Sequence, residues 1–265
     1  MINTNSKLSE INAATAAEIN TAVPVDLHPD TISRHGATLV DDQGGAGQSA
    51  YSAGRAALAS VYKGLSEIEK AYHAQLVPTA TGQKGPGATR MLIPNERKAP
   101  LADAMHAMFA RTATTMERNS RVVDENLSDL EQRIAIAISN PNKDRVGTAQ
   151  AASEIRQYIS SLKNSGERMK FLQESIAAGE LEIVSAVLGT SCWISGLNKA
   201  EFAIIREAAE SRFAPREAKQ RAAVQAIKKQ IESATASFMQ RYVKLLPRPE
   251  QSPADKALAA LKMGA

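Results

Sequence analysis

The sequence predicts an all-α fold: an elongated bundle of three long and several short helices with an extended N-terminal arm. The longest apolar periodicity, over residues 101–139, repeats every three or four positions, as one face of a helix does and a strand does not. No Pro or Gly interrupts this run, which Pro100 and Pro141 bracket. Aromatic residues are only 4% of the chain although 43% is hydrophobic, a composition that suits close helix packing better than a β-sandwich.

The buried face of this central helix is predicted from nine positions at helical spacing. They are Met105, Phe109, Thr112, Met116, Val123, Leu127, Leu130, Ile134 and Ile138. At ~1.5 Å per residue the helix would be about 57 Å long, which is too long for one small core. We therefore expect several partner helices to pack along it.

A preceding helix is predicted from about Ser52 to Pro78, with a stripe that includes Leu58, Leu65 and Ile68. Gly64 either weakens this helix or permits the close approach of a neighbour. The following residues, 79–100, contain Gly, Pro and several basic residues and are predicted to form a long exposed loop.

After the central helix, a third long helix is predicted over about 148–178, with a possible kink at Ser165-Gly166 and a glycine C-cap at Gly179. A short helix over 181–188 follows. Two further helix starts are predicted, one from the capping-box spacing of Asn198 and Glu201 and one from Pro215 at the first position of the last long helix. The apolar residues of that last helix follow a near-heptad pattern.

Three segments follow from this organisation. Residues 1–49 are predicted to be an N-terminal arm, a short amphipathic helix followed by a Gly/Pro-rich linker; 50–246 are the helical bundle; 247–265 are a Pro-rich tail with a short C-terminal helix. Apolar residues of the two end segments are candidates for docking onto partner proteins: Leu8, Ile11, Ile19, Leu258 and Leu261.

Charge is distributed unevenly along the chain, whose net charge is +4. Residues 1–50 carry two basic and six acidic side chains, whereas residues 201–265 carry twelve basic and seven acidic ones. An acidic start and a basic end favour head-to-tail contact between copies, or different partners at each end. Two solvated faces are the simpler alternative.

One glycine-rich segment, Gly45–Ala50, has the spacing of a phosphate-binding loop and follows the strand-like Ala37–Val40. The alternating strands of a dinucleotide fold are missing downstream, so a flexible linker is the favoured interpretation. The sequence predicts no cofactor.

Other patterns typical of catalysis are weak. The four histidines are scattered without metal-ligand spacing. Cys192, the one cysteine, is predicted to be a small buried thiol in a tight turn rather than a nucleophile, and it excludes an internal disulfide framework. We therefore predict that the protein is not an enzyme.

We find no secretory signal after Met1 and no apolar stretch long enough to span a membrane. Nucleic-acid binding is the alternative function. A DNA-associated helical protein would contact phosphates through the loop at 84–98 and the helix face at 216–229. Its candidate contacts are Lys84, Arg90, Arg97, Lys98, Lys219, Arg221, Lys228 and Lys229. Glu217 and Glu232 on the same helix favour an ordinary solvated face instead.

The segment 178–212, with Ser185-Ala186-Val187-Leu188-Gly189 and Ile194-Ser195-Gly196-Leu197, resembles helical proteins encoded among the virion genes of tailed bacteriophages. The resemblance implies a virion, or the host cytoplasm during assembly, as the setting. The leading prediction is therefore a non-enzymatic structural subunit near the portal, the neck or the internal head contents. Its terminal arms would bind other protein subunits, identical copies or different proteins.

Overall fold

The computed structural model describes residues 23–24, 27–40, 45–80, 89–140, 142 and 146–247. The fold is all-α, as predicted. The described helices are α1 (Gly36–Val40), α2 (Ala46–Ala74), α3 (Asn95–Ile138), α4 (Thr148–Ser161), α5 (Ser165–Ala178), α6 (Leu181–Leu188), α7 (Lys199–Phe213) and α8 (Pro215–Leu245). Two short 3-10 helices cover Pro29–His35 and Cys192–Ser195. Strands β1 (Val77–Ala80) and β2 (Thr89–Leu92) pair antiparallel between α2 and α3.

Contacts divide the chain into two compact units. Unit 1 comprises Met1–Arg34, Ser52–Arg121 and Lys228–Ala265, and unit 2 comprises His35–Tyr51 and Val122–Ile227. Helices α2, α3 and α8 each contribute residues to both units.

The core of unit 1 is built from α2, α3 and α8. Phe109 of α3 stacks on Phe238 and Tyr242 of α8, with ring centroids 5.2 and 4.3 Å apart. Arg241 of α8 reaches Glu69 of α2, where Nη1 donates to Oε1 across 3.1 Å. The buried aliphatic side chains of the unit include Leu58, Val61, Leu65, Ile68, Met105, Met116 and Ile231.

The core of unit 2 is a cluster of aliphatic side chains from α3 to α7. Its buried members are Ile134, Ile138, Ile159, Leu172, Ile176, Val184, Val187, Leu197, Ile205, Ala209 and Ala214. The cluster joins the C-terminal end of α3 to the shorter helices and holds them as one packed layer.

The predicted periodicity of the long helices is confirmed. Of the nine positions predicted for the central helix, seven are buried and Phe109 and Leu127 are half-buried. In α8 the near-heptad positions Val224, Ile227, Ile231, Ala234 and Phe238 are buried. The apolar spacing therefore identified the inward faces correctly.

The described part of the N-terminal segment differs from the predicted linker. Instead of irregular chain and a strand at 37–40, it forms a 3-10 helix, α1 and the start of α2, which crosses the predicted boundary at residue 49. Leu27, Ile32 and Leu39 are fully buried. Their spacing is not periodic, and hence the pattern did not identify them as core residues.

The predicted basic loop at 79–100 is also corrected. Its described ends form the β1–β2 hairpin, and α3 begins at Asn95 rather than after Pro100. Pro100 lies inside α3, where it removes one backbone hydrogen bond in the second turn. Glu96, whose carbonyl loses that partner, is exposed, so the cost is small.

The predicted helix over 148–178 is two helices, α4 and α5. Leu162 has extended backbone angles (φ −61°, ψ 131°), and the Asn164 side chain accepts a hydrogen bond from the amide of Glu167 across 2.8 Å, which starts α5. The predicted caps at Gly179, with φ 81°, and at Asn198 with Glu201 are confirmed.

Candidate functional site

A groove of about 500 Å³ opens on unit 2 between the C-terminal end of α3 and helices α4, α6 and α7. Its apolar lining comes from Ile134 and Ile138 of α3 and Leu188 of α6. Small residues make up much of the remainder: Ala135, Ser139, Ala149, Ala152, Ser185, Ala186 and Gly189. Because small side chains leave room for a close backbone approach, such a lining suits an incoming helix.

Arg156 of α4 is fixed at the groove by the end of α6. Its Nη1 donates to the carbonyl oxygen of Ala186 across 3.1 Å. That carbonyl belongs to the last turn of α6, which has no intrahelical partner to offer it. The guanidinium thus caps α6 and places a positive charge in the groove wall.

A second arginine of the groove, Arg206 of α7, belongs to a charge cluster with a buried carboxylate. Its Nε donates to Oε1 of Glu210 across 2.9 Å, and Arg221 of α8 binds the other carboxylate oxygen. Burial raises the pKa of Glu210, but the hydrogen bonds from Arg221 and then Arg206 outweigh it and hold that pKa below its usual range. Glu210 is therefore ionised at neutral pH.

Unit 2 also carries most of the exposed large apolar side chains. Of the eight such side chains in the described part of the chain, six belong to unit 2: Ile136, Val146, Tyr158, Trp193, Ile194 and Ile204. Trp193 is 74% exposed and Ile136 is 64% exposed. Ile136 lies between the groove residues Ala135 and Ile138 in sequence. Exposed apolar and aromatic side chains of this kind are typical of protein–protein interfaces.

The candidate phosphate contacts are not brought together as one surface of α8. Successive residues of a helix turn by about 100°, so Lys219 and Arg221 flank opposite sides of the apolar stripe and Lys229 lies on the side away from it. Arg221 is occupied by Glu210 and its side chain is only 21% exposed. Lys228 is half-buried, while Lys219 and Lys229 are exposed.

The other candidate phosphate contacts belong to the hairpin and α3. Arg90 lies on β2, and Arg97 and Lys98 lie in the first turn of α3, so they are not part of one loop. Arg97 is exposed and Lys98 is half-buried. Lys84 lies outside the described residues.

The glycine-rich segment Gly45–Ala50 starts α2 and is not a free linker. Gly47 lies in the first turn, where a Cβ would be 3.1 Å from the carbonyl oxygen of Leu39. The missing side chain at position 47 therefore permits the close approach of α1 to α2.

Cys192 is half-buried in a 3-10 helix rather than sealed in a tight turn. Within the described ranges, no group of three or more His, Cys, Asp or Glu side chains is placed to hold a metal ion. His106 of α3 instead forms a hydrogen bond with the hydroxyl of Tyr242. His106 and Cys192 thus have packing partners, and neither lines the groove.

The five docking candidates, Leu8, Ile11, Ile19, Leu258 and Leu261, lie outside the described residues. The groove arginines, Arg156 and Arg206, were not predicted from the sequence. A signal for Arg156 existed, since it shares one face of α4 with Ala149 and Ala152 at spacings of three and four. No signal pointed to Arg206, whose place depends on how α7 packs.

No family model, no curated protein and no solved structure matches the chain. None of the helices in the described part of the chain combines the length and the apolar character that crossing a membrane requires.

Proposed function

We propose that the protein is a non-enzymatic structural subunit of a multiprotein assembly, in which its terminal segments tie copies together. The observation that carries this proposal is the groove of unit 2 together with the exposed apolar side chains of the same unit. A small-residue groove flanked by arginines offers surface to a protein segment.

The types of exposed residue support a protein partner. Trp, Tyr and Arg carry most of the binding energy in protein interfaces, and unit 2 exposes Trp193 and Tyr158 and presents Arg156 and Arg206 in the groove. Leaving Trp193 and Ile136 in water forgoes about 1.5–3 kcal/mol for each side chain that a partner would bury. Association would recover part of that free energy.

A tailed-phage virion is the setting we propose, near the portal, the neck or the internal head contents. The resemblance that suggests it involves Ser185, Ala186, Leu188 and Gly189, and these residues line the groove. The resembling segment would thus take part in binding between subunits.

Light scattering coupled to size-exclusion chromatography tests the proposal on the full chain and on a truncation that begins at Val23. The cut stops there because Val23, Leu27, Ile32 and Leu39 are buried, so that removing residues 1–49 would also remove core side chains. We expect the full chain to form assemblies and the truncation to lose them while its circular dichroism keeps the helical signal. Unchanged assembly of the truncation would overturn the role of the N-terminal segment.

A further inference from the structure

We infer that the groove of unit 2 receives residues 7–20 of a second copy of the chain, an inference that rests on the proposed function. The groove provides alanines and a glycine where a helix backbone can approach closely, with Ile134 and Ile138 as apolar lining. A helix-in-groove contact needs an amphipathic segment whose apolar residues recur every three or four positions.

Residues 7–20 have that pattern in the sequence. Leu8, Ile11, Thr15 and Ile19 recur on one helical face, and four of the residues between Ile11 and Ile19 are alanine. Fourteen residues would make a helix of about 21 Å. An alanine-rich helix presents a narrow, smooth surface, and this complements the small side chains of the groove.

Charge complementarity supports the same occupant. The segment carries one basic and two acidic side chains, Lys7, Glu10 and Glu18. The groove carries the reverse, Arg156 and Arg206 with Glu182. The two surfaces therefore have opposite net charges.

The helical spacing of the segment favours Glu18 as the partner of Arg156. On a helix Glu18 adjoins the apolar face, whereas Glu10 points away from it. Arg206 is already bound to Glu210. Arg156 donates to a neutral carbonyl, and its guanidinium group has further N–H groups for a carboxylate.

The contact joins different surfaces of the two copies. The segment precedes Val23, which is buried and belongs to unit 1, and the groove belongs to unit 2. A contact between unlike surfaces is heterologous, and it produces rings or open filaments. Each copy would give one segment and accept another.

Two full-chain variants, each defective in one half of the contact, test this inference. Ala149→Trp fills the groove at an exposed position, and Ala177→Trp on α5, also exposed and outside the groove, is its matched control. The double substitution Ile11→Asp/Ile19→Asp introduces charges into the apolar pattern of the segment. By light scattering, we expect the groove variant and the segment variant each to weaken association roughly tenfold or more, while Ala177→Trp leaves it unchanged.

Mixing the two defective proteins provides the decisive readout. The Ala149→Trp protein keeps an intact segment, and the Ile11→Asp/Ile19→Asp protein keeps an intact groove. Only one segment–groove contact can therefore form between them, and an equal mixture should give a complex of one chain of each. A charge exchange adds a second readout: Glu18→Arg and Arg156→Glu each weaken assembly, and the double variant recovers it.

The outcomes separate this inference from the proposed function. If the wild-type chain has only its monomer mass of 28.3 kDa at every concentration, the proposed function fails. If the wild type assembles and Ala149→Trp assembles equally well, only the groove inference fails. A mixture that forms no complex, because the segment docks within its own chain or another occupant fills the groove, also overturns it.

Discussion

Gly64 of α2 faces Thr112 of α3 so closely that a side chain on the glycine has no room. A Cβ on Gly64 would overlap the Thr112 hydroxyl and lie 3.1 Å from its Cγ2. Thr112 itself is buried. Of the two interpretations that the sequence left open for this glycine, close approach of a neighbouring helix is therefore the correct one.

Gly64→Ala should destabilise unit 1 even though alanine favours helix more than glycine does. We expect a loss of about 1–3 kcal/mol, because the added methyl overpacks the contact with Thr112. Urea unfolding followed by circular dichroism measures it.

Gly166→Ala is the matched control for this overpacking, since its Cβ would meet nothing nearer than 3.4 Å. It should leave stability unchanged or raise it by up to about 1 kcal/mol. Adding Thr112→Ala to Gly64→Ala should recover part of the loss. If the Gly64→Ala protein is as stable as the Gly166→Ala protein, the close approach of α2 to α3 at Gly64 is wrong.

Glu210→Gln should cost about 2 kcal/mol, since hydrogen bonds to charged groups contribute more than neutral ones and Arg221 would lose its carboxylate. The Glu210 side chain is only 4% exposed. Asp129→Asn is the control, because Asp129 and Arg133 form a 2.7 Å pair one helical turn apart whose side chains are 47% and 41% exposed, and such pairs contribute about 0.5 kcal/mol. Equal losses of stability in the two variants would contradict the larger contribution assigned to the buried Glu210 carboxylate.

The same cluster makes stability depend on pH. The pKa of Glu210 lies below the usual value because the arginines outweigh the effect of burial. Its contribution is therefore complete above the unfolded-state pKa of about 4.3 and is lost as the pH falls through the lower folded-state pKa. The difference in unfolding free energy between wild type and Glu210→Gln should shrink below about pH 4. A difference that grows on acidification would contradict a lowered pKa of Glu210 in the folded protein.

Asn164→Ala should destabilise α5 by about 1 kcal/mol, because the amide of Glu167 loses its cap. Asn164→Asp keeps an acceptor at the same place and should retain stability. Thermal unfolding of both variants checks this, and an alanine variant as stable as the aspartate variant would show that the cap does not start the helix.

The sequence predicted the inward faces of the long helices because burial there imposes a regular repeat on many positions. Positions such as Met105, Val123, Ile134 and Val224 are buried as expected. The break between α4 and α5 was predicted only as a kink at Ser165-Gly166, although Asn164 and Glu167 have the same spacing as the recognised pair Asn198 and Glu201. The apolar repeat, which continues through the break, outweighed the capping signal.

The groove was less predictable than the helices. It depends on how α3, α4, α6 and α7 pack, and the spacing within one helix does not contain that information. Leu27 and Ile32 were missed for a related reason, since single buried residues outside a repeat give no periodic signal.

The DNA-binding alternative stays a prediction with its own test. Arg221→Gln should lower stability, because its guanidinium is bound to Glu210, and should leave affinity for a non-specific duplex unchanged. Lys219 is exposed, so Lys219→Gln should leave stability unchanged, and it should also leave affinity for the duplex unchanged if the protein does not bind DNA. Tight binding that weakens steeply with salt and drops in the Lys219 variant would instead favour the alternative.

Sedimentation velocity of the full chain over a hundredfold range of concentration shows whether copies of the protein bind one another. We expect species heavier than the 28.3 kDa monomer, with a share that grows with concentration. A single species of monomer mass across the whole range would contradict it.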